Sequence, residues 1–271
     1  MSASPASRAG DPGRPTAALG LLGAVGVLTV AVFVSPLPLA SWSLGRGLLG
    51  IDEVTADVVA GLVRFWSGPT GAPSPALAES VTLWGRFHLI KAVLSALWLV
   101  ALVALAARVR RADAGGASGG LAEVVTRVLT KVLGALALVV LVANLQGAAE
   151  PLASAASLTQ GSVDPALSSE AAQAATELRQ GVVRPATTTL LDSFAGYHLV
   201  MVGLGGLMVL LAVWGLWRTW RARPAVRSWG RWWSSVGLLA WGLGFALVTV
   251  ANLSTAMNPA PALAAFLDTL G

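Results

Sequence analysis

The chain has 271 residues, of which 11% are charged and 55% apolar, with a mean hydropathy of +0.73. A water-facing domain of this size needs roughly a quarter charged residues, so the composition excludes an ordinary soluble surface and implies one that meets lipid. The absence of Cys excludes disulfides, thiolate metal sites and cysteine nucleophiles. The net charge of +5 is nearly all Arg sorted by loop, which points away from nucleic acid.

Residues 1–16 are rich in Ser, Pro, Gly and Ala and read as a disordered cytoplasmic arm. Residues 17–39 form the first of five apolar stretches long enough to cross about 30 Å of hydrocarbon as a helix. With Arg8 and Arg14 ahead of it, this stretch also fits a signal peptide cut near Ala40. It is longer than such a segment needs and puts Pro38 at the −3 position, so a retained span is expected. The string PLAS at Pro38 recurs at Pro151, which reads as a structural exit turn.

Residues 40–158 form a first unit: an outer amphipathic helix over 52–66 with Asp52 placed to cap it, a span over 84–107, a cytoplasmic loop over 108–127, and a span over 128–145. Ser74-Pro75 reads as the N-cap and first residue of the helix that enters the second span. Residues 159–271 repeat the plan. An outer helix starts at Asp164-Pro165 and ends near Gly181, a helix starting at Pro185 carries the span 197–216, and a cytoplasmic loop over 217–232, a span over 233–253 and an outer tail follow.

The two units share residues as well as a plan. At an offset of 110, Pro75 falls on Pro185, His88 on His198, Leu94 on Leu204, Arg108 on Arg218 and Arg111 on Arg221. At an offset of 108, Val142-Ala143-Asn144-Leu145 falls on Val250-Ala251-Asn252-Leu253 and Pro151 on Pro259. A helix pair carried twice, entering from the same side each time, predicts parallel repeats about an axis along the membrane normal. The fold class expected is therefore an all-α integral membrane protein with five transmembrane helices. It consists of a lead helix plus two tandem parallel-repeat hairpins, with short extracytoplasmic helices between them.

Arg108, Arg110, Arg111 and Arg127 lie in one inter-span loop and Arg218, Arg221, Arg223, Arg227 and Arg231 in another, while the alternate segments hold most of the acids. The positive-inside rule then puts the N-terminus in the cytoplasm and the C-terminus outside. The Ala/Gly/Val/Leu/Arg bias suggests a bacterial plasma membrane. Gly20, Gly23, Gly26, Gly203, Gly206, Gly237, Gly242 and Gly244 are expected to let helices approach closely. The tryptophans at Trp42, Trp66 and Trp84, and from Trp214 to Trp233, are expected to form interfacial belts.

The candidate binding residues form a polar cluster near the outer face: His88, Lys91, Asn144, Glu150, His198 and Asn252. His88, Lys91 and Ser95 share one helical face, and an intramembrane Lys is costly enough to suggest function. Its equivalent is Met201, and Glu150 is placed to pair with it at the surface. Three readings compete. Each His hydrogen-bonds the Asn of its own hairpin as packing glue; the cluster lines a path for a proton or small solute; or His88 and His198 ligate a haem. The first is expected, with no cofactor, no metal and no catalytic centre.

No Walker loop, dinucleotide fingerprint, HExxH or GxSxG occurs. Ser41, His88 and Asp192 all lie at the outer face, but nothing in the spacing sets a nucleophile beside a base. The expected role is a non-enzymatic scaffold or accessory subunit in the lipid bilayer, presenting outer helices to a membrane or extracytoplasmic protein partner. The alternatives are a small-solute or proton transporter and a bis-His haem redox protein.

Overall fold

The computed structural model describes residues 14–270 apart from 115–119 and 222–228. Residues 1–13 of the expected arm and the central parts of both basic loops thus lie outside the described residues. Every regular element described is helical: α1 Arg14–Val34, α2 Pro36–Ser43, α3 Ile51–Ser67, α4 Pro75–Ala114, α5 Leu121–Ala149, α6 Pro151–Ala156, α7 Pro165–Arg179, α8 Pro185–Arg221, α9 Trp229–Met257 and α10 Pro259–Leu267, with 3₁₀ turns at Ser157–Thr159 and Asp268–Leu270. Four helices are long and apolar enough to cross a membrane, or five if the bent pair α1–α2 counts as one.

The first span departs from expectation. Helix α1 already includes residues 14–16, and it stops at Val34 instead of running straight through residue 39. Pro36 has no N–H to continue the ladder and its ring crowds the preceding turn. Ser35 closes the helix by bonding Ala31 O through both its N–H (3.0 Å) and its hydroxyl (2.7 Å), and the chain bends before α2 begins.

The proline starts hold. α4 and α8 begin at Pro75 and Pro185, and α4 runs 40 residues and α8 37. At 1.5 Å per residue both rods are about 55–60 Å long, well beyond a hydrocarbon core of about 30 Å. Helices α5 and α9 are each 29 residues long. After each, a residue in an irregular conformation, Glu150 (φ −127°, ψ 71°) or Asn258 (φ −139°, ψ 72°), precedes a proline-started short helix. The tail after the last long helix is thus the helix α10.

Residues divide into two compact units that cut across the expected repeats: 1–36 with 90–141, and 37–89 with 142–271. In the first unit, Val25 and Val32 of α1 pack with Trp98, Leu102 and Leu105 of α4 and Ala137 of α5. Phe33 meets Trp98 edge-on at 6.4 Å between ring centroids.

In the second unit, α7 packs against α3 and α10 in a cap of short helices, while α8 packs along α9. The cap holds the ion pairs. Arg184 binds Glu177 (2.7 Å) and Glu170 (3.3 Å) and donates to Trp66 O (3.1 Å), so the residue before Pro185 ties α8 to α7 and to the end of α3. Arg46 pairs with Asp57 at 3.1 Å, and Arg179 pairs with Asp268. Helix α3 is capped by Gly50 and Glu53, whose carboxylate accepts Gly50 N–H at 2.8 Å, and not by Asp52. Helix α7 starts at Pro165 as expected, and Asp164 caps it, accepting Leu167 N–H at 2.9 Å.

Two further expectations are corrected. Trp66 and Trp84 are buried in the core, whereas Trp42, Trp214, Trp217, Trp220, Trp232 and Trp233 are exposed. Of the eight glycines expected at close contacts, only Gly242 meets a neighbour, the Cβ of Ala212; between α8 and α9 the others that do are Gly205, against Thr249, and Gly215, against Leu238. The lipid-facing side of such a helix is as apolar as its packed side, so sequence alone does not say which glycine faces inward.

Candidate functional site

The paired residues meet as expected. His88 Nδ1 lies 2.8 Å from Asn144 Oδ1, and His198 Nδ1 lies 2.7 Å from Asn252 Oδ1. Helical geometry explains the match. His88 stands 13 residues after Pro75 and His198 13 after Pro185, so each ring reaches the same level of its rod. Asn252 donates its amide to Val248 O at 2.8 Å, leaving Oδ1 to accept, so Nδ1 carries the proton in His198.

The first pair is elaborated. His88 Nε2 lies 2.9 Å from the hydroxyl of Ser154 in α6, and Trp84 donates its indole N–H to that hydroxyl at 3.1 Å. With Asn144 presenting its carbonyl oxygen, Nδ1 donates and Nε2 accepts from Ser154. A chain of three hydrogen bonds then runs Trp84 to Ser154 to His88 to Asn144, joining α4, α6 and the end of α5. Gly147 makes room for it, since a Cβ there would strike the His88 ring. In the second pair the equivalents of Trp84, Gly147 and Ser154 are Phe194, Thr255 and Ala262, and the chain ends at the His.

This arrangement corrects the sequence reading that no nucleophile stands beside a base, because Ser154, His88 and Asn144 have the connectivity of nucleophile, base and orienter. The surroundings oppose that chemistry. Ser154 is 5% exposed, its oxygen already accepts from Trp84, and its own N–H is committed to Glu150 O. The same commitment weakens the haem reading: both ring nitrogens of His88 have partners, so an iron would have to displace Ser154. Among the described residues no three His, Asp or Glu side chains converge on a metal-sized site.

Glu150 is engaged by Ser193, whose hydroxyl donates to Oε2 at 2.9 Å while accepting Ala153 N–H at 3.2 Å, in place of the pairing with Lys91 that the sequence suggests. Gly196 leaves space for that carboxylate. Gln146 donates to Tyr197 O at 3.0 Å, so the end of α5 and the start of α6 are both stitched to α8. Lys91 belongs to the other unit, where its ammonium stands over the Phe33 ring at 5.7 Å. Ser95, on the same face, bonds back to Lys91 O at 2.7 Å.

Ser154, Trp84, Ser193 and Gln146 were not anticipated as site residues. The one signal for Ser154 was the recurring PLAS string, read only as a turn. Comparison with protein-family models, with curated proteins and with solved structures finds no match to this chain.

Proposed function

We propose that the chain is a five-span plasma-membrane protein with a cytoplasmic N-terminus. In this reading it is a lead helix followed by two tandem hairpins, and it works as a non-enzymatic scaffold or accessory subunit that presents its helical cap to a protein partner. The observation that carries the reading is the internal commitment of the polar cluster. His88, Asn144, Glu150, Ser154 and Gln146 are spent on bonds that fasten helices to one another. A site built for a solute, a proton or an iron leaves groups facing a path or a ligand. The cap itself is ordered by Arg184 and by Gly71, and it carries exposed apolar side chains, Leu48, Val163 and Val182 among them, which suit a protein surface better than solvent. The arginine distribution supports the orientation.

Photo-crosslinking in the native membrane tests this reading. A benzophenone side chain at Leu48 and, separately, at Val163 is expected to capture one and the same discrete partner, with capture lost in a variant carrying Asp at two further exposed apolar positions, Ile51 and Val182. A Soret band in the purified protein, or dissipation of a pH gradient by the protein in sealed vesicles, would overturn it.

A further inference from the structure

Helices α4 and α5 do not close along their whole length: between residues 99–110 of α4 and 127–134 of α5 lies a cleft of about 350 Å³. On α4 it is lined by Leu99, Val103, Ala106 and Arg110, which follow at helical spacing down one face; on α5 it is lined by Arg127, Lys131 and Gly134, which do the same. From Leu99 to Arg110 this stripe is about 16 Å long, apolar until its last residue. Arg110, Arg127 and Lys131 line it toward the C-terminal end of α4, and among the described residues no Asp or Glu lines the cleft. Thr130, also in its wall, is buried and bonds back to Thr126 O at 2.7 Å.

The second hairpin shows that the cleft is not a by-product of the helix pair. At the equivalent positions Arg110 becomes Trp220, Arg127 becomes Ser235, Thr130 becomes Leu238 and Lys131 becomes Leu239. Leu238 packs onto Gly215 and Ala212 onto Gly242, so α8 and α9 close at that level.

We infer that the α4–α5 cleft is a binding site for an anionic phospholipid, its phosphate held by Arg110, Arg127 and Lys131 and one acyl chain lying along Leu99, Val103 and Ala106. Basic pockets between transmembrane helices suit such headgroups because the cations sit at the depth of the phosphates while the groove below continues the hydrocarbon. Arginine adds two parallel donors to a phosphate, and the lysine adds a point charge. A free anion would be served by the cations alone. The apolar stripe beneath them is what selects a lipid.

The test uses the full-length protein in detergent, titrated with phosphatidylglycerol, with phosphatidylcholine of the same chains, or with inorganic phosphate. Thermal unfolding and native mass spectrometry are the readouts. Phosphatidylglycerol is expected to be retained and to raise the midpoint, and phosphatidylcholine to do so far less. Arg110→Gln with Lys131→Gln should weaken phosphatidylglycerol binding by about thirtyfold. Arg218→Gln with Arg221→Gln, the same charge change on the other hairpin, should leave it intact. Equal retention of phosphatidylcholine, full stabilisation by phosphate alone, or equal loss in the Arg218/Arg221 variant would overturn the proposal. If the Arg110/Lys131 variant does not fold, Ala106→Phe, which fills the groove and keeps every charge, decides: lost retention supports the site and unchanged retention overturns it.

Discussion

Ser154 Oγ stands 2.9 Å from His88 Nε2, and 108 residues further along the chain the same position is Ala262. The two histidines therefore share one partner type, an Asn, and differ in the second. That difference sets the expected energetics of each.

Removing His88 takes a partner from the carbonyl oxygen of Asn144 and from the hydroxyl proton of Ser154, whereas removing His198 takes one only from the carbonyl oxygen of Asn252. Hydrogen bonds between membrane helices average about 0.6 kcal/mol and reach about 1.7. His198→Ala and Asn252→Ala should each cost about that average, and the double variant less than their sum, since one bond is broken once. His88→Ala should cost more than His198→Ala. Thermal unfolding in detergent measures all four, and additive losses within a pair would contradict the lock.

Ser154→Ala leaves the buried Trp84 indole N–H and His88 Nε2 without their partner, at a cost of about 1–3 kcal/mol. Trp84→Phe made on top of Ser154→Ala reproduces the second hairpin, where Phe194 and Ala262 occupy these places, and removes one orphan. The double variant should be more stable than Ser154→Ala alone. A further loss would mean that Trp84 contributes by its bulk and not by its donor.

Gly71 has φ +65°, and a Cβ there would overlap the backbone of Pro185. Gly161, with φ +79°, faces open space. Gly161→Ala should cost only the conformational penalty, about 1–2 kcal/mol, while Gly71→Ala should cost more, because the start of α8 must also shift. Thr189 would then lose its bond to Gly71 O, now 2.9 Å. Equal midpoints for the two variants would show that the loop gives way without cost.

For orientation, single cysteines in this Cys-free chain give a direct reading. Val163 is 94% exposed and Leu121 is 81% exposed, so both are open to reagent. An impermeant maleimide added to intact cells should label Val163→Cys and reach Leu121→Cys only after permeabilisation. The reverse pattern would invert the topology.

What the sequence made legible was whatever depends on local chemistry. Uninterrupted apolar length marked the long helices, Pro75, Pro165 and Pro185 marked starts, and the spacing from proline to His marked which rings would share a level. What it hid depends on which side of an apolar helix faces protein. Trp84 reaches Ser154 across 70 residues of chain, and nothing local distinguishes it from the exposed Trp42. The same blindness chose Gly203 and Gly206 over their neighbour Gly205, which is the one that meets Thr249. The break at Ser35 was readable in principle from Pro36, but the apolar run on both sides of it masked the signal.

Helix α8 has one property whose effect reaches past its own contacts. Its first turns, at Ala186 and Leu190, are buried among the cap helices, and its later turns, at Gly205, Met208 and Ala212, are buried against α9, with no interruption between them. The helix is continuous from Pro185 to Arg221. A change in its tilt, of the kind that helices make to match hydrocarbon thickness, is therefore passed to the cap helices docked on its N-terminal turns. One continuous helix thus carries both the contacts of the cap and those of α9, and what tilts one set tilts the other.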